Sequence, residues 1–177
     1  AKLIVVACNT AAAAALHALR QTFPDILFVG MEPAVKPAAE ITRTGVVGVL
    51  ATPATFQGAL YASVVERFAG NVTLLQNTCP GLVQQIERGP LDGSETRAIL
   101  ASALHPMLNR GINTIVLGCT HYPIFKNQIR KILGKNIKVI SQDEIIPKKL
   151  KNYLVRHPEV SKKLSKNHTA KILVTDI

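Results

Sequence analysis

Short apolar runs alternate with stretches of helical spacing along almost the whole chain, and this alternation limits the fold more than any other feature. "LIVVAC" is followed by "TAAAAALHALRQTF", whose alanines and leucines favour helix. "TGVVGVLAT" leads into "PATFQGALYASVVERFA", with proline suited to a first helical turn. "NVTLLQN" precedes "CPGLVQQIERG", stopped by Gly89. "SETRAILASALHPMLNRG" then reads as a helix opened by Ser94 as a cap and closed by Gly111. "NTIVLGC" precedes "YPIFKNQIRKILG", "NIKVIS" precedes "DEIIPKKLKNYLVRH", and the final "AKILVTDI" reads as one more strand. Parallel neighbours need a crossover, usually a helix. The expected class is therefore α/β, with a mainly parallel sheet flanked by helices.

Two shifts interrupt the pattern. "MEPAVKPAAEITRTG" holds two prolines and reads as a connection between lobes, and a lysine-rich tail begins near residues 138 to 142. The expected division is a first α/β lobe from 1–32 plus 139–177, with a second lobe, 33–138, inserted into it. The chain opens inside a strand and without methionine, so the first lobe is expected to lack its N-terminal part.

Composition argues against several functions. No apolar run reaches the roughly 20 residues of a bilayer span, so no membrane role is expected, and "AKLIVVACNT" lacks the build of a secretory signal. Cys8, Cys79 and Cys119 are odd in number and far apart, which points to reduced thiols in a cytoplasm rather than to a disulfide framework. The net charge is +10, but residues 126–166 alone hold twelve Lys and Arg against three acidic residues. That concentration reads as a solvated helical face; with 5% aromatic residues and no recognition motif, nucleic acid is not an expected partner. Only Cys119 and His121 stand at metal-ligand spacing, so no metal is expected. No Schiff-base lysine signature and no glycine-rich phosphate loop occur either, so no cofactor is expected.

The chain repeats one junction. "LIVVACNTA" laid over "TIVLGCTHY" gives Ile-Val, an apolar residue, a small residue, Cys, then Thr within two positions. Each is a strand ending in cysteine with a helix just beyond. Both thiols fall at the carboxyl edge of strands, where open α/β sheets bind ligands. Both also fall near helix N-termini, whose free N–H groups favour thiolate and can hold a carboxylate. Either cysteine alone is better read as core than as a reactive group. As a matched pair they suit a reaction that is nearly its own mirror image. One thiolate removes a proton from a carbon while the other thiol delivers one to the opposite face.

"VVACNTA" together with "LGCTHYP" resembles the glutamate racemases, within the cofactor-independent amino-acid racemases, and "VGVLATPAT", "CPGLVQQIERG" and "VISQDEII" extend the resemblance over essentially the whole chain. It implies two pseudo-symmetric α/β lobes with glutamate between them, and Cys8 and Cys119 as the two acid/base residues. It also implies that Asn9, Thr10, Thr120 and His121 bind the polar ends of glutamate, and that His121 tunes the neighbouring thiol. Glu87 matches an acidic residue near the second cysteine, and reads equally as an exposed helical glutamate. Thr52 and Thr55 follow a strand and are candidate substrate contacts or helix caps. Cys79 reads as structural. The family's Asp-Ser strand and its later Pro-Tyr-Gly do not occur ahead of Cys8 here. The resemblance further implies a homodimer and D-glutamate for peptidoglycan. The alternatives are an aspartate racemase of the same superfamily and a truncated, non-catalytic ligand-binding module.

Overall fold

The computed structural model describes residues 1–167 and 169–173. In chain order, β1 (Leu3–Val5) runs into α1 (Asn9–Thr22), and β2 (Leu27–Val29) into α2 (Val35–Ile41). β3 (Val46–Leu50) is followed by α3 (Pro53–Gln57) and α4 (Ala59–Phe68), and β4 (Thr73–Asn77) by α5 (Leu82–Arg88) and α6 (Ser94–Asn109). β5 (Thr114–Leu117) leads through a 3-10 turn, Tyr122–Phe125, into α7 (Lys126–Leu133). β6 (Lys138–Ser141) leads into α8 (Gln142–Arg156) and the short α9 (Pro158–Ser161).

Every strand pair is parallel, as the alternation with helices requires. β1 and β2 form a two-stranded sheet, and a four-stranded sheet has the order β4-β3-β5-β6. The larger sheet is covered on both faces, which is why its central strands are apolar at successive positions. Leu50, Ile115 and Leu117 pack with Leu100, Leu104, Phe125 and Ile129 on one face. Val47, Val49, Val116 and Ile140 pack with Val35, Ala38, Tyr61 and Val64 on the other. On the first face α6 presses so closely that a Cβ at Gly48 would lie 2.9 Å from the Met107 sulfur. Only glycine fits there without displacing a neighbour.

Several boundaries differ from the reading of the sequence. The proline-bearing connection contains α2, because Pro37 occupies its first turn, where a missing N–H breaks no helical bond. The run before it forms β2, a strand too short to stand out from its surroundings. The long helix expected after β3 breaks at Gly58, whose backbone is extended between α3 and α4. A Cβ at Gly58 would lie 3.2 Å from the Ala13 Cβ, so the break lets α1 approach. Ser94 is the first residue of α6 and not its cap; Gly93 holds that position without a side-chain bond.

The expected return to the first lobe at 139 falls inside β6. That strand pairs with β5 along its length, and Val139 and Ile140 are buried on opposite faces of the larger sheet. The lysines that suggested a boundary mark a solvated surface, which says nothing about strand membership. Residues 170–173 of the expected last strand are irregular, with Ile172 and Leu173 exposed to solvent. The rest of that expected strand lies outside the described residues. Among the described residues no helix is long and apolar enough to cross a membrane.

Leu104 is fully buried where α6 meets the sheet. Leu104→Ala is expected to lower the unfolding free energy by about 2–5 kcal/mol, read from urea denaturation, through lost burial and the cavity left behind.

Candidate active site

The strand order of the larger sheet reverses between β3 and β5. The chain leaves β3 for β4 on one side and β5 for β6 on the other. Ligands of open α/β sheets bind beyond the carboxyl ends at such a reversal. The register sets Leu50 beside Leu117 and Leu117 beside Ser141, so Thr52, Cys119 and Gln142 follow three adjacent strand ends. The Gly118 N–H donates to the Leu50 carbonyl at 2.7 Å, locking two of these ends together one residue before the cysteine. A Cβ at Gly118 would lie 3.0 Å from that same carbonyl oxygen, so the approach depends on glycine.

Cys119 is half-buried, and its Sγ lies 3.7 Å from His121 Nδ1. On the other side of the ring, His121 Nε2 lies 3.2 Å from a Glu87 carboxylate oxygen. A neutral ring that donates from Nε2 to Glu87 leaves Nδ1 with a lone pair facing the thiol, a tautomer assigned from its neighbours. The ring can then accept a proton from Cys119. Glu87 is an exposed residue of α5 whose carboxylate contacts the histidine beside the second cysteine. With side-chain exposures of 38% and 60%, this hydrogen bond is open to solvent and contributes at most about 1 kcal/mol, so it bears on orientation more than on stability.

Burial pushes the Cys119 thiol up; the N–H groups of His121, Tyr122 and Thr120 pull it back, charge on Cys8 adds to the rise, and the net shift is upward. The expectation that strand-end N–H groups would favour thiolate is thus met in direction but outweighed by desolvation. At neutral pH Cys119 carries its proton. Thr120 is exposed and contributes its backbone N–H to this balance.

Cys8 caps α1, and its Sγ accepts the Ala11 N–H at 3.5 Å. Just beyond it, three hydroxyls form a triangle: Thr10 to Thr52 at 3.0 Å, Thr10 to Thr55 at 3.2 Å, and Thr52 to Thr55 at 3.0 Å. Thr52 is also the cap of α3, so it serves as cap and as a member of the polar cluster. The Asn9 amide points elsewhere. Its Nδ2 donates to the Gly118 carbonyl at 2.5 Å and to Gln142 Oε1 at 2.8 Å, while its Oδ1 accepts from Gln142 Nε2 at 3.0 Å. Expected to reach substrate, Asn9 here has both amide hydrogens engaged within the protein.

The structure therefore joins Cys119, His121 and Glu87 in one chain of contacts and Thr10, Thr52 and Thr55 in another. The Asn9–Gly118 bond holds the neighbours of the two cysteines together. Gln142 and Gly118 were not singled out from sequence. The available signal was position: each stands beside a strand-to-helix junction of the same kind as the cysteines. Cys79 is buried in the core beside Leu82 and Tyr122, and burial, with charge on Cys119, pushes its thiol up to about 12. Its φ of 46° is held by a turn in which its N–H donates to Asn77 Oδ1 at 2.8 Å. A cavity of about 970 Å³ bordered by Phe28, Met31, Gln142 and Tyr153 does not include either strand-end cysteine.

The family model described as Asp/Glu/Hydantoin racemase matches residues 1–145. A glutamate racemase of Roseiflexus sp. is 57% identical over 140 residues, covering 79% of this chain and 52% of the relative. In three dimensions the chain resembles the Escherichia coli glutamate racemase solved in complex with L-glutamate and the activator UDP-MurNAc-Ala. That match has a TM-score of 0.76 at 32% identity, over 88% of this chain and 59% of that one. A glutamate racemase isoform of Bacillus anthracis matches with a TM-score of 0.74 at 32% identity, over 90% and 59%. The chain spans about half the length of the first of these relatives and about three-fifths of the other two.

The thiolate is the form that alkylates. Iodoacetamide labelling followed by peptide mass analysis is expected to show Cys119 reaching half-maximal rate above the ordinary thiol value of 9.0, its reactivity falling as pH falls. Cys79 is expected to respond only near pH 12. A half-maximal rate at or below pH 9.0 for Cys119 would contradict the burial argument.

Proposed function

The chain belongs to the Asp/Glu/Hydantoin racemase family, and from that membership we propose that Cys8 and Cys119 interconvert L- and D-glutamate without a cofactor. The observation that supports this most is the Asn9–Gly118 hydrogen bond, which ties together the residue after one cysteine and the residue before the other. In one direction the Cys8 thiolate takes the α-proton, and the Cys119 thiol delivers its own to the opposite face of the same carbon. Cys8 ends as thiol and Cys119 as thiolate, so the product state is ready for the reverse reaction. The desolvation that keeps Cys119 protonated suits it to the acid role. His121, facing its sulfur and oriented by Glu87, is placed to move that proton to and from solvent.

The Thr10, Thr52 and Thr55 hydroxyls and the N–H of Thr120 are donors suited to the two carboxylates of glutamate. The hydroxyls bond one another in the free protein and turn toward the carboxylates as substrate binds, where they stabilise charge as it builds on the α-carboxylate. The choice of glutamate follows the named activity of the relatives. The D-glutamate produced would serve peptidoglycan synthesis. The reaction is placed in the cytoplasm, where thiols stay reduced, with a homodimer as the assembly.

Cys8→Ser and Cys119→Ser are each expected to lower racemisation about 10²–10⁴-fold in both directions, followed by polarimetry, because each removes one partner of an acid–base pair. Full activity in either variant would reject the two-thiol mechanism.

A further inference from the structure

We propose that Gln142 is a positioning residue that sets the separation of Cys8 and Cys119. The inference rests on the two-thiol reading above and adds to it a residue outside the catalytic pair. Gln142 is the first residue of α8 and is 2% exposed; Asn9, the first of α1, is 3% exposed. Their amides pair reciprocally, with Asn9 Nδ2 donating to Gln142 Oε1 at 2.8 Å and Gln142 Nε2 donating to Asn9 Oδ1 at 3.0 Å. Each amide spends its remaining hydrogen on a backbone carbonyl, Asn9 on Gly118 at 2.5 Å and Gln142 on Glu32. All four amide hydrogens are thereby used. Because Gly118 and Glu32 present carbonyl oxygens, only nitrogens can face them, and the orientation of both amides is fixed by the network itself.

The clamp reaches four places: the start of α1, the segment between β2 and α2, the end of β5, and the start of α8. The first two belong with the smaller sheet and the last two with the larger. A cysteine stands one residue from it on each side, Cys8 before Asn9 and Cys119 after Gly118. Buried and fully satisfied, such a network is rigid, and breaking one member leaves buried polar groups unpaired. Removing Gln142 therefore loosens the relation between the two thiols while leaving both present. Inversion needs both sulfurs correctly placed at one carbon. Removal and return of a proton by the same sulfur needs only one.

The test follows L-glutamate in deuterium oxide with the wild type, Gln142→Ala and Gln142→Glu. Initial rates of deuterium entering L-glutamate are compared with rates of D-glutamate formation. Both variants are expected to invert about 10²-fold more slowly, the loss that ~1 Å of misplacement can cause, with exchange in L-glutamate falling much less. The ratio of exchange to inversion therefore rises. Gln142→Glu keeps the shape and the acceptor for Asn9 but loses both donated bonds, so it carries the test if the alanine variant fails to fold. A residue that only stabilised the fold would lower exchange and inversion together, and an unchanged ratio overturns the proposal. If the wild type neither exchanges nor inverts, the functional reading fails first. Gln142 is then judged by cross-linking Cys8 to Cys119 with a short bis-maleimide. A yield that drops in both variants supports the positioning role, and an unchanged yield overturns it.

Discussion

The relation between the two halves of the site depends on a buried amide network in which Asn9 donates to the Gly118 carbonyl and pairs with Gln142. Among the described residues, β1 and β2 form their own sheet and share no strand pairing with the larger one. Packing of α1 against α3 and α4 brings the two sheets together, and the polar tie fixes the junction next to each cysteine. The threonine hydroxyl triangle is a second tie at the same junction, reaching from α1 to the start of α3. Both ties lie at the carboxyl ends of strands, so the contacts that hold the halves together are the ones that shape the site.

The two thiols occupy different surroundings. Cys119 lies against the apolar core that includes Leu117 and Tyr122, and desolvation dominates its proton affinity. Cys8 stands at the start of a 14-residue helix with an N–H directed at its sulfur. A reversible reaction does not require identical bases; it requires that each can hold and release a proton in turn. The His121–Glu87 chain lies on the Cys119 side, beside the half-buried thiol, where the proposed mechanism needs a route for proton exchange.

Much of this architecture was legible in the sequence, because a strand ending in cysteine beside a helix start needs only local patterning to be seen. The internal echo placed both thiols at strand edges, and the fold class followed from alternation. What stayed hidden depended on contacts distant in sequence. The reciprocal Asn9–Gln142 pair joins residues 133 positions apart, and nothing local to Gln142 announces it. α2 was masked by Pro33 just ahead of it and by Pro37, which is harmless in a first turn. β6 was divided from its sheet because lysines reflect solvent exposure, whereas Val139 and Ile140 carry the strand's membership. Burial, not visible in a local motif, decided the protonation of Cys119 against the N–H groups that the motif did reveal.

A crystal structure with glutamate bound would test the central claim most directly. The account predicts the α-carbon lying between the two sulfurs, with Cys8 in contact on one face, Cys119 on the other, and the carboxylates on the threonine hydroxyls. Glutamate seated away from both sulfurs, or with both on the same face of the α-carbon, would contradict it.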